Sequence, residues 1–507
     1  MSTRKVYLVG AGPGDTGLIT VKGLDLLRQA DCVIYDGLAN AALLDNVRPD
    51  AETINVRKRT GDHTIKQDQI NALLVEKAKQ HRCVVRLKGG DPCLFGRAAE
   101  EVRACIAAGV PFEIVPGITS GMAAAEYAGL FLTDRDNASA VAFITGREAE
   151  GKSDSDIDWP SLAAFRGTLV FYMAMGTLSD IATRLIKHGK TPQTPVAVVH
   201  QATLPQQRIV EGQLHDIAVR CENENVAAPS IVIIGPRATP GPDVNWFMHQ
   251  PLFGKRILIT RDTEGNRKFA RLLAACGAVP VGFDGIAVES LAHTPAVREA
   301  LAAIGNSHWV IFTSANGVSA TFEGLAAIGQ DARTFGGVRV ACIGDQTAQR
   351  LRSYGITADF IPSAFTSTAL AEELAALDDL HEKKILLLRS AIAPKDFPDR
   401  LAALGARVAD IAVYTVRTQN ADPQQLAALN EQFAAGAIDW LTFTSTSTVK
   451  AFLEAIPIDR VKNSRVKIAS IGPATTTYLK SIGLPPTIEA SVHTVEGLIC
   501  EMSNVKC

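Results

Sequence analysis

Short runs of apolar and β-branched residues alternate along the chain with longer Ala- and Leu-rich stretches. In the first half the runs fall at 5–9, 32–35, 84–87, 141–145, 169–173, 196–200 and 231–234. Runs of this length bounded by turn residues predict strands, and the helical stretches between them predict a mostly parallel sheet covered by helices. Several runs end in Gly, Asp or Pro, and open α/β sheets gather their ligand sites at such strand ends. Between 236 and 254 the alternation lapses, and prolines at 236, 240, 242 and 251 mark a linker between domains. Trp246, Phe247 and Phe253 within it predict that part of the linker packs on a domain. The alternation then resumes, with runs at 256–260, 309–313, 338–343, 384–388, 440–444 and 466–471. A weak internal echo accompanies it. Phe312-Thr-Ser resembles Phe443-Thr-Ser, and Cys342-Ile-Gly resembles Ser470-Ile-Gly, as two similar α/β lobes would produce.

With 507 residues the chain exceeds what one core supports, so three or four domains are expected. Its 47% hydrophobic and 21% charged residues are those of an ordinary globular protein. The formal charge of −2 provides no global field for a nucleic acid, and a small anionic substrate fits better. No apolar run is long enough for a transmembrane helix. The N-terminus enters a strand without the features of a signal peptide, so a cytoplasmic location is expected. The nine cysteines show no C-x-x-C pair and no Cys/His spacing typical of metal ligation, so they read as reduced, and no metal is expected.

The strongest local motif is Val9-Gly-Ala-Gly-Pro-Gly-Asp-Thr-Gly17, placed after a strand and before a helical stretch at 18–29. Gly12, Gly14 and Gly17 satisfy a dinucleotide fingerprint, with Asp36 near the position of a ribose-binding acid. Pro13 removes one N–H from such a cradle, and Asp15 would oppose a pyrophosphate. A second glycine turn carries an acid at Gly89-Gly-Asp91, a third runs through Pro116-Gly-Ile-Thr-Ser120, and a fourth strand ends in Met173. Glycines, an acid, small hydroxyls and a thioether suit a compact cationic nucleoside better than a dinucleotide.

Taken in order, Gly10-Ala-Gly-Pro-Gly-Asp15, Tyr35-Asp36, Lys58-Arg59, the 84–92 stretch, Pro116-Gly-Ile-Thr-Ser120 and Phe171-Tyr-Met173 resemble the motifs of the uroporphyrinogen III C-methyltransferase family. The resemblance covers about 6–235. It implies a class III S-adenosylmethionine-dependent methyltransferase of two α/β lobes (about 1–115 and 116–240), followed by a linker at 241–254, and a homodimer formed through this half. It also implies a cofactor site of Pro13, Gly89, Gly90, Asp91, Leu94, Thr119, Ser120, Met173 and Ala202, with Asp36 as proton acceptor, Lys58 as proton donor and Arg59 among the substrate contacts. Read without the resemblance, Asp36 is a strand-end turn acid and Lys58 part of a solvated basic loop. The sequence departs from the family pattern at Gly37 (commonly Arg), Arg57 (commonly Gly), Cys93 (commonly Phe), Ala98-Ala99 (a glycine pair) and Ala202 (commonly Gly).

After 255 no nucleophile triad, P-loop or metal motif occurs. Strand ends carry Thr/Ser/Gly turns, which suit a polyanion held by backbone N–H groups and hydroxyls but also serve as plain strand caps. The ordered set Ile259-Thr-Arg261, Phe312-Thr-Ser-Ala-Asn-Gly317, Ile343-Gly344, Tyr414, Phe443-Thr-Ser-Thr-Ser447 and Ile471-Gly-Pro-Ala-Thr475 resembles uroporphyrinogen III synthase. This implies a two-lobed α/β fold over 255–507, one lobe from 255–288 plus 418–507 and the other from 289–417. It further implies Tyr414 as acid catalyst and Ser314, Ser445, Thr475 and Thr476 as substrate contacts. The expectation is then a bifunctional enzyme acting on small tetrapyrrole substrates, without nucleic-acid or membrane partners. It would cyclise hydroxymethylbilane and methylate the product at C2 and C7 to precorrin-2, on the sirohaem or cobalamin branch. Two alternatives remain, a dinucleotide-dependent oxidoreductase and a methyltransferase joined to a non-catalytic binding module.

Overall fold

The computed structural model describes residues 4–56, 65–147, 156–236, 238, 239, 241, 244–418 and 423–505. The chain divides into two compact units, Met1–Lys255 with Leu273–Val279, and Arg256–Leu272 with Pro280–Cys507. No helix among the described residues is long and apolar enough to cross a membrane.

The first unit opens with β1 (Lys5–Gly10), β2 (Cys32–Tyr35), β3 (Glu52–Asn55), β4 (Cys83–Lys88) and β5 (Phe112–Val115), ordered β3-β2-β4-β1-β5 with every pairing parallel. Both faces of this sheet are covered, which is why its central strands read as unbroken apolar runs. Val6, Leu8, Ile34 and Val84 pack with Ile70 and Leu74 on one face. Val9, Val33, Val85 and Leu87 pack with Leu27 and Leu43 on the other. The next five strands are β6 (Val141–Thr145), β7 (Thr168–Tyr172), β8 (Pro195–His200), β9 (Arg208–Gln213) and β10 (Ser230–Ile234), ordered β6-β7-β10-β8-β9. Here the expectation of a mostly parallel sheet needs correction. Only β6–β7 is parallel, whereas β7–β10, β10–β8 and β8–β9 are antiparallel. Apolar runs report burial but not direction: β8 turns straight back into β9, and β10 returns between β7 and β8 against both. Trp246 and Phe247 pack edge-on against Tyr127 at 4.9 and 4.7 Å, so this stretch lies on the first unit.

The second unit holds two more sheets. β11 (Arg256–Ile259) and β12 (Val279–Gly282) begin the third. The chain then builds the whole fourth sheet from β13 (Ile286–Ser290), β14 (Trp309–Phe312), β15 (Arg339–Cys342), β16 (Lys384–Ser390) and β17 (Arg407–Thr418). It returns with β18 (Trp440–Phe443), β19 (Lys467–Ser470) and β20 (Ile488–Glu489). The orders are β12-β11-β18-β19-β20 and β13-β17-β16-β14-β15. The sequence echo is structural. β14 runs into helix Ala315–Ala327 capped by Ser314, and β18 into helix Thr446–Ala455 capped by Ser445. Likewise β15 and β19 lead through Gly344 and Gly472 into helices Asp345–Arg352 and Pro473–Ser481.

Candidate active sites

Three strand-end turns of the first unit meet through glycine. Gly12 and Gly90 exchange backbone hydrogen bonds of 3.2 and 2.7 Å, both at positive φ (79° and 68°) that glycine adopts without strain. A Cβ on Gly10 would lie 2.5 Å from the Gly117 Cα, and one on Gly117 only 2.3 Å from the Gly90 carbonyl oxygen. Asp91 ties the group together: Oδ1 accepts from the Cys93 and Leu94 amides at 2.8 and 3.2 Å, and Oδ2 from the Gly117 amide at 3.0 Å. Its carboxylate therefore holds two turns in register.

The first turn is poorly disposed to cradle a phosphate. Ala11 N–H donates to the Lys88 carbonyl, Gly12 N–H to that of Gly90, Asp15 N–H to Thr203 Oγ1 and Gly17 N–H to Asp15 Oδ1. Pro13 has no N–H to offer. The expected helix at 18–29 begins only at Val21, after a 3₁₀ turn at Thr16–Leu18, so its N-terminal dipole is displaced from the glycines. These features count against a dinucleotide at this turn.

Tyr172 organises a second wall. Its hydroxyl bonds Thr119 Oγ1 at 2.7 Å and accepts from the Gly121 amide at 3.0 Å. Leu94 and Ala202 pack on the same apolar cluster, and the Phe95 ring lies 5.0 Å from that of Tyr172. Ser120 begins the helix Ser120–Tyr127. Met173, Phe95, Gln201 and Thr203 all have positive φ (55°, 56°, 45° and 69°), and Met173 is 53% exposed. Strained non-glycine residues gathered on loops around one wall mark a site held by its surroundings. A Cβ on Gly89 would lie 2.7 Å from the Leu38 Cβ, and the Asn40 amide donates to the Gly14 carbonyl at 2.7 Å. Pro13 is half-buried in the adjoining turn.

Asp36 Oδ1 accepts from the Leu38 and Ala39 amides at 3.1 and 3.3 Å, and Oδ2 lies 3.6 Å from Arg86 Nη2. Asp36 is thus the acid of its own strand-end turn and faces the Arg86 guanidinium. Lys58, Arg59 and the departure at Arg57 lie outside the described residues. Beneath Asp36 is a charge group that the sequence reading passed over. Glu101 is fully buried and takes Arg86 Nε at 2.9 Å and Lys88 Nζ at 2.8 Å. Burial, then the neighbouring Arg86 charge, lowers the Lys88 pKa. The available signal was Arg86 and Lys88 two apart in an apolar strand, hence on one face, which demands a buried acid.

One mixed donor group emerges in the fold that chain spacing hides. Cys32, Glu52 and His81 place ligand atoms within 4.8 Å of one another. Glu52 already bonds Lys77 at 2.7 Å and His81 at 3.0 Å, and burial pushes the Cys32 thiol up to about 12, so the group is adequately described as an ion-pair cluster.

In the second unit, Tyr414 on β17 is 7% exposed, and its hydroxyl lies 2.9 Å from Ser314 Oγ. Ser314 Oγ also accepts from the Gly317 amide at 3.1 Å. Tyr414 reaches a cavity of about 430 Å³. Ser445, Thr475 and Thr476 do not join this pair. Ser445 caps its own helix and bonds Ser447 at 2.8 Å, while Thr475 and Thr476 are buried in the first turn of helix Pro473–Ser481. Thr476 Oγ1 is buried with no hydrogen-bond partner among the described residues.

Together these features define an α/β enzyme of two units, with a glycine junction at the strand ends of the first and a cavity beside Tyr414 in the second. Family models match both: tetrapyrrole (corrin/porphyrin) methylases over residues 5–218 and uroporphyrinogen-III synthase HemD over 267–500. A porphyrin biosynthesis protein HemD of Ruminiclostridium josui is 33% identical over 503 residues, 99% of this chain and 98% of that protein. An S-adenosyl-L-methionine-dependent uroporphyrinogen III methyltransferase of Methanosarcina barkeri is 48% identical over 46% of this chain and 91% of its own length. A uroporphyrinogen-III C-methyltransferase of Bacillus subtilis is 42% identical over 64% of this chain and 66% of that protein. The chain belongs to the tetrapyrrole methylase family through its first unit and to the uroporphyrinogen-III synthase family through its second, and is a two-part enzyme of tetrapyrrole biosynthesis.

Proposed function

We propose that the second unit closes hydroxymethylbilane to uroporphyrinogen III, with inversion of the last pyrrole, and that the first methylates this product at C2 and C7 to precorrin-2. The observation that carries the first half is the glycine junction at Gly10, Gly90 and Gly117, which lies beside Thr119 and Ser120. The residues present fit S-adenosylmethionine: glycines admit close backbone approach, and the Thr119–Tyr172 bond fixes a hydroxyl in the wall. When bound, that cofactor supplies an electrophilic methyl group. Pro13, Gly89, Gly90, Leu94, Thr119, Ser120, Met173 and Ala202 would line its site, with Asp91 acting by bracing the turns. A pyrrole carbon attacks by in-line approach, so positioning provides most of the acceleration. Asp36, oriented by two backbone amides, is our candidate to accept the ring proton afterwards, with Lys58 as donor and Arg59 as a substrate contact.

In the second unit, departure of the substrate hydroxyl is the step that acid assistance helps most. With Gly317 N–H directed at Ser314 Oγ, the serine proton can point at the Tyr414 oxygen, leaving the phenolic proton for the leaving hydroxyl. Loss of that hydroxyl gives an azafulvene, which the last pyrrole attacks to form the spiro intermediate. Ser445, Thr475 and Thr476 would meet the substrate from the other sheet. We further infer a cytoplasmic homodimer formed through the first unit, feeding sirohaem or cobalamin synthesis; light scattering on the purified chain checks the assembly.

A single reaction containing hydroxymethylbilane and S-adenosylmethionine tests the reading. The expected product is the dimethylated macrocycle, followed by mass and absorbance. Isomer I alone would defeat the synthase assignment, and unmethylated isomer III the methyltransferase. Tyr414→Phe is expected to slow cyclisation about ten-fold or more.

A further inference from the structure

The cavity beside Tyr414 is acidic where an anionic substrate has to sit. Asp262, Glu264 and Glu323 line it, and Arg350 is the one Lys or Arg among the described residues of its wall. Arg350 belongs to helix Asp345–Arg352, the one entered through Gly344. Its Nε donates to Ser319 Oγ at 2.8 Å, its Nη2 donates to the Tyr354 hydroxyl at 3.3 Å, and the guanidinium lies 5.2 Å from the Tyr354 ring centroid. Tyr354 is itself stacked on Phe322 at 4.0 Å, and Ser319 donates its own proton to the Ala315 carbonyl at 3.1 Å. The group is therefore held by neutral partners on a packed base.

No carboxylate among the described residues forms an ion pair with it. Glu264 is bonded to Lys268 at 2.6 Å, and Glu323 lies 3.4 Å from His293. The Glu264 carboxyl is held below its usual range, mainly by Lys268, with a further contribution from the Arg350 charge. Nη1 has no hydrogen-bond partner among the described residues. A pre-oriented guanidinium with an uncommitted donor, facing a cavity, is suited to receive a carboxylate.

We propose that Arg350 is a carboxylate anchor of the cyclising unit. It would take a carboxylate side chain of the pyrrole that lies against Tyr414, while Glu264 opposes the incoming anion. This rests on the synthase reading above. The anchor would hold the one ring that bears the hydroxymethyl group at the acid, so the step would be positioned by charge as well as by shape.

Steady-state cyclisation of hydroxymethylbilane by the full chain tests it, with isomers I and III resolved and three variants compared. Arg350→Met is expected to raise KM about ten-fold while kcat falls less than about three-fold, and to flatten the salt dependence of kcat/KM. Arg350→Lys, which keeps the charge without the fork, should raise KM about three-fold. Glu264→Gln should lower KM about two-fold; damage to folding would not tighten binding. An unchanged KM in Arg350→Met, or a raised KM in Glu264→Gln, would overturn the anchor. If the unsubstituted chain fails to form isomer III, the synthase reading itself fails, so the two failures are distinct.

Discussion

At the strand ends of the first unit, the backbone approaches itself through glycine, and a carboxylate, Asp91, braces the turns from within. At the strand ends of the second, the backbone stays extended and serine hydroxyls cap the helices that follow, once at Ser314 and again at Ser445. The first arrangement is a single interlocked junction in which every member depends on the others. The second is a repeated local device, and its copies have diverged: Ser314 meets Tyr414, whereas Ser445 meets Ser447. Interlocked construction fixes the turns against one another at the cost of tolerance. Repetition leaves each copy free to acquire its own chemistry.

The contrast can be broken hardest beneath the glycine junction. Glu101→Gln leaves buried Arg86 and Lys88 without their anion, and should cost about 3–5 kcal/mol, read as a lowered unfolding midpoint of the first unit together with loss of methylation. In the second unit the nearest counterpart is Asp410, paired with buried Arg389 at 2.6 Å. Its pKa is lowered, first by the Arg389 hydrogen bond and further by Lys395. The stabilisation is therefore complete above the ordinary carboxylate value of about 4 and lost as pH falls through the lower folded value. Asp410→Asn should cost about 2–3 kcal/mol near neutral pH, and denaturation curves of the two proteins should converge on acidification. At the junction itself, Gly117→Ala has to move the Gly90 carbonyl. A loss of about 1–3 kcal/mol is expected, with S-adenosylmethionine affinity by calorimetry reduced ten-fold or more and cyclisation kept. The smallest effects sharpen the comparison within the repeat. Ser314→Ala and Ser445→Ala should each lose about 1 kcal/mol of cap stability. The cyclisation rate constant should fall mainly in Ser314→Ala, while Ser445→Ala should act mainly through KM.

Strands buried on both faces were legible because burial leaves an apolar run: 84–87 and 231–234 became β4 and β10 almost to the residue. Edge strands were legible only where they stayed apolar, as at β6 and β15. β3 (Glu-Thr-Ile-Asn) and β9 (Arg-Ile-Val-Glu-Gly-Gln) are half-exposed at sheet margins and carry too few apolar residues to announce themselves. Arg407, Asp410 and Arg417 interrupt the apolar residues of β17, and Asp410 is explained by Arg389 on the neighbouring strand together with Lys395. Strand direction in the second sheet was also invisible, since an apolar run reads the same either way.

Site legibility followed a similar division. Motif order pointed to Gly90, Thr119, Met173 and Tyr414, and the fold places Thr119 on the wall that Met173 ends and Tyr414 against Ser314. Spacing could not reveal that the Asp91 oxygens are engaged by backbone amides, nor that Glu101 lies under Asp36, because both depend on chain segments brought together from a distance. Arg350 is one arginine among many until Tyr354 and Ser319 fix it at a cavity wall.

The glycine junction has a last consequence, for the routes open to mutation. A crowded contact can usually be repaired when a larger neighbour is exchanged for a smaller one. Gly10, Gly90 and Gly117 have already reached the smallest side chain possible; every close contact that a new methyl group would strike at Gly10 or Gly117 is a backbone atom, and Gly90 is constrained by its positive φ instead. No second-site exchange among the three can make room at Gly10 or Gly117, so a change at either of these is undone by reversion, and the pair drifts as one inherited unit.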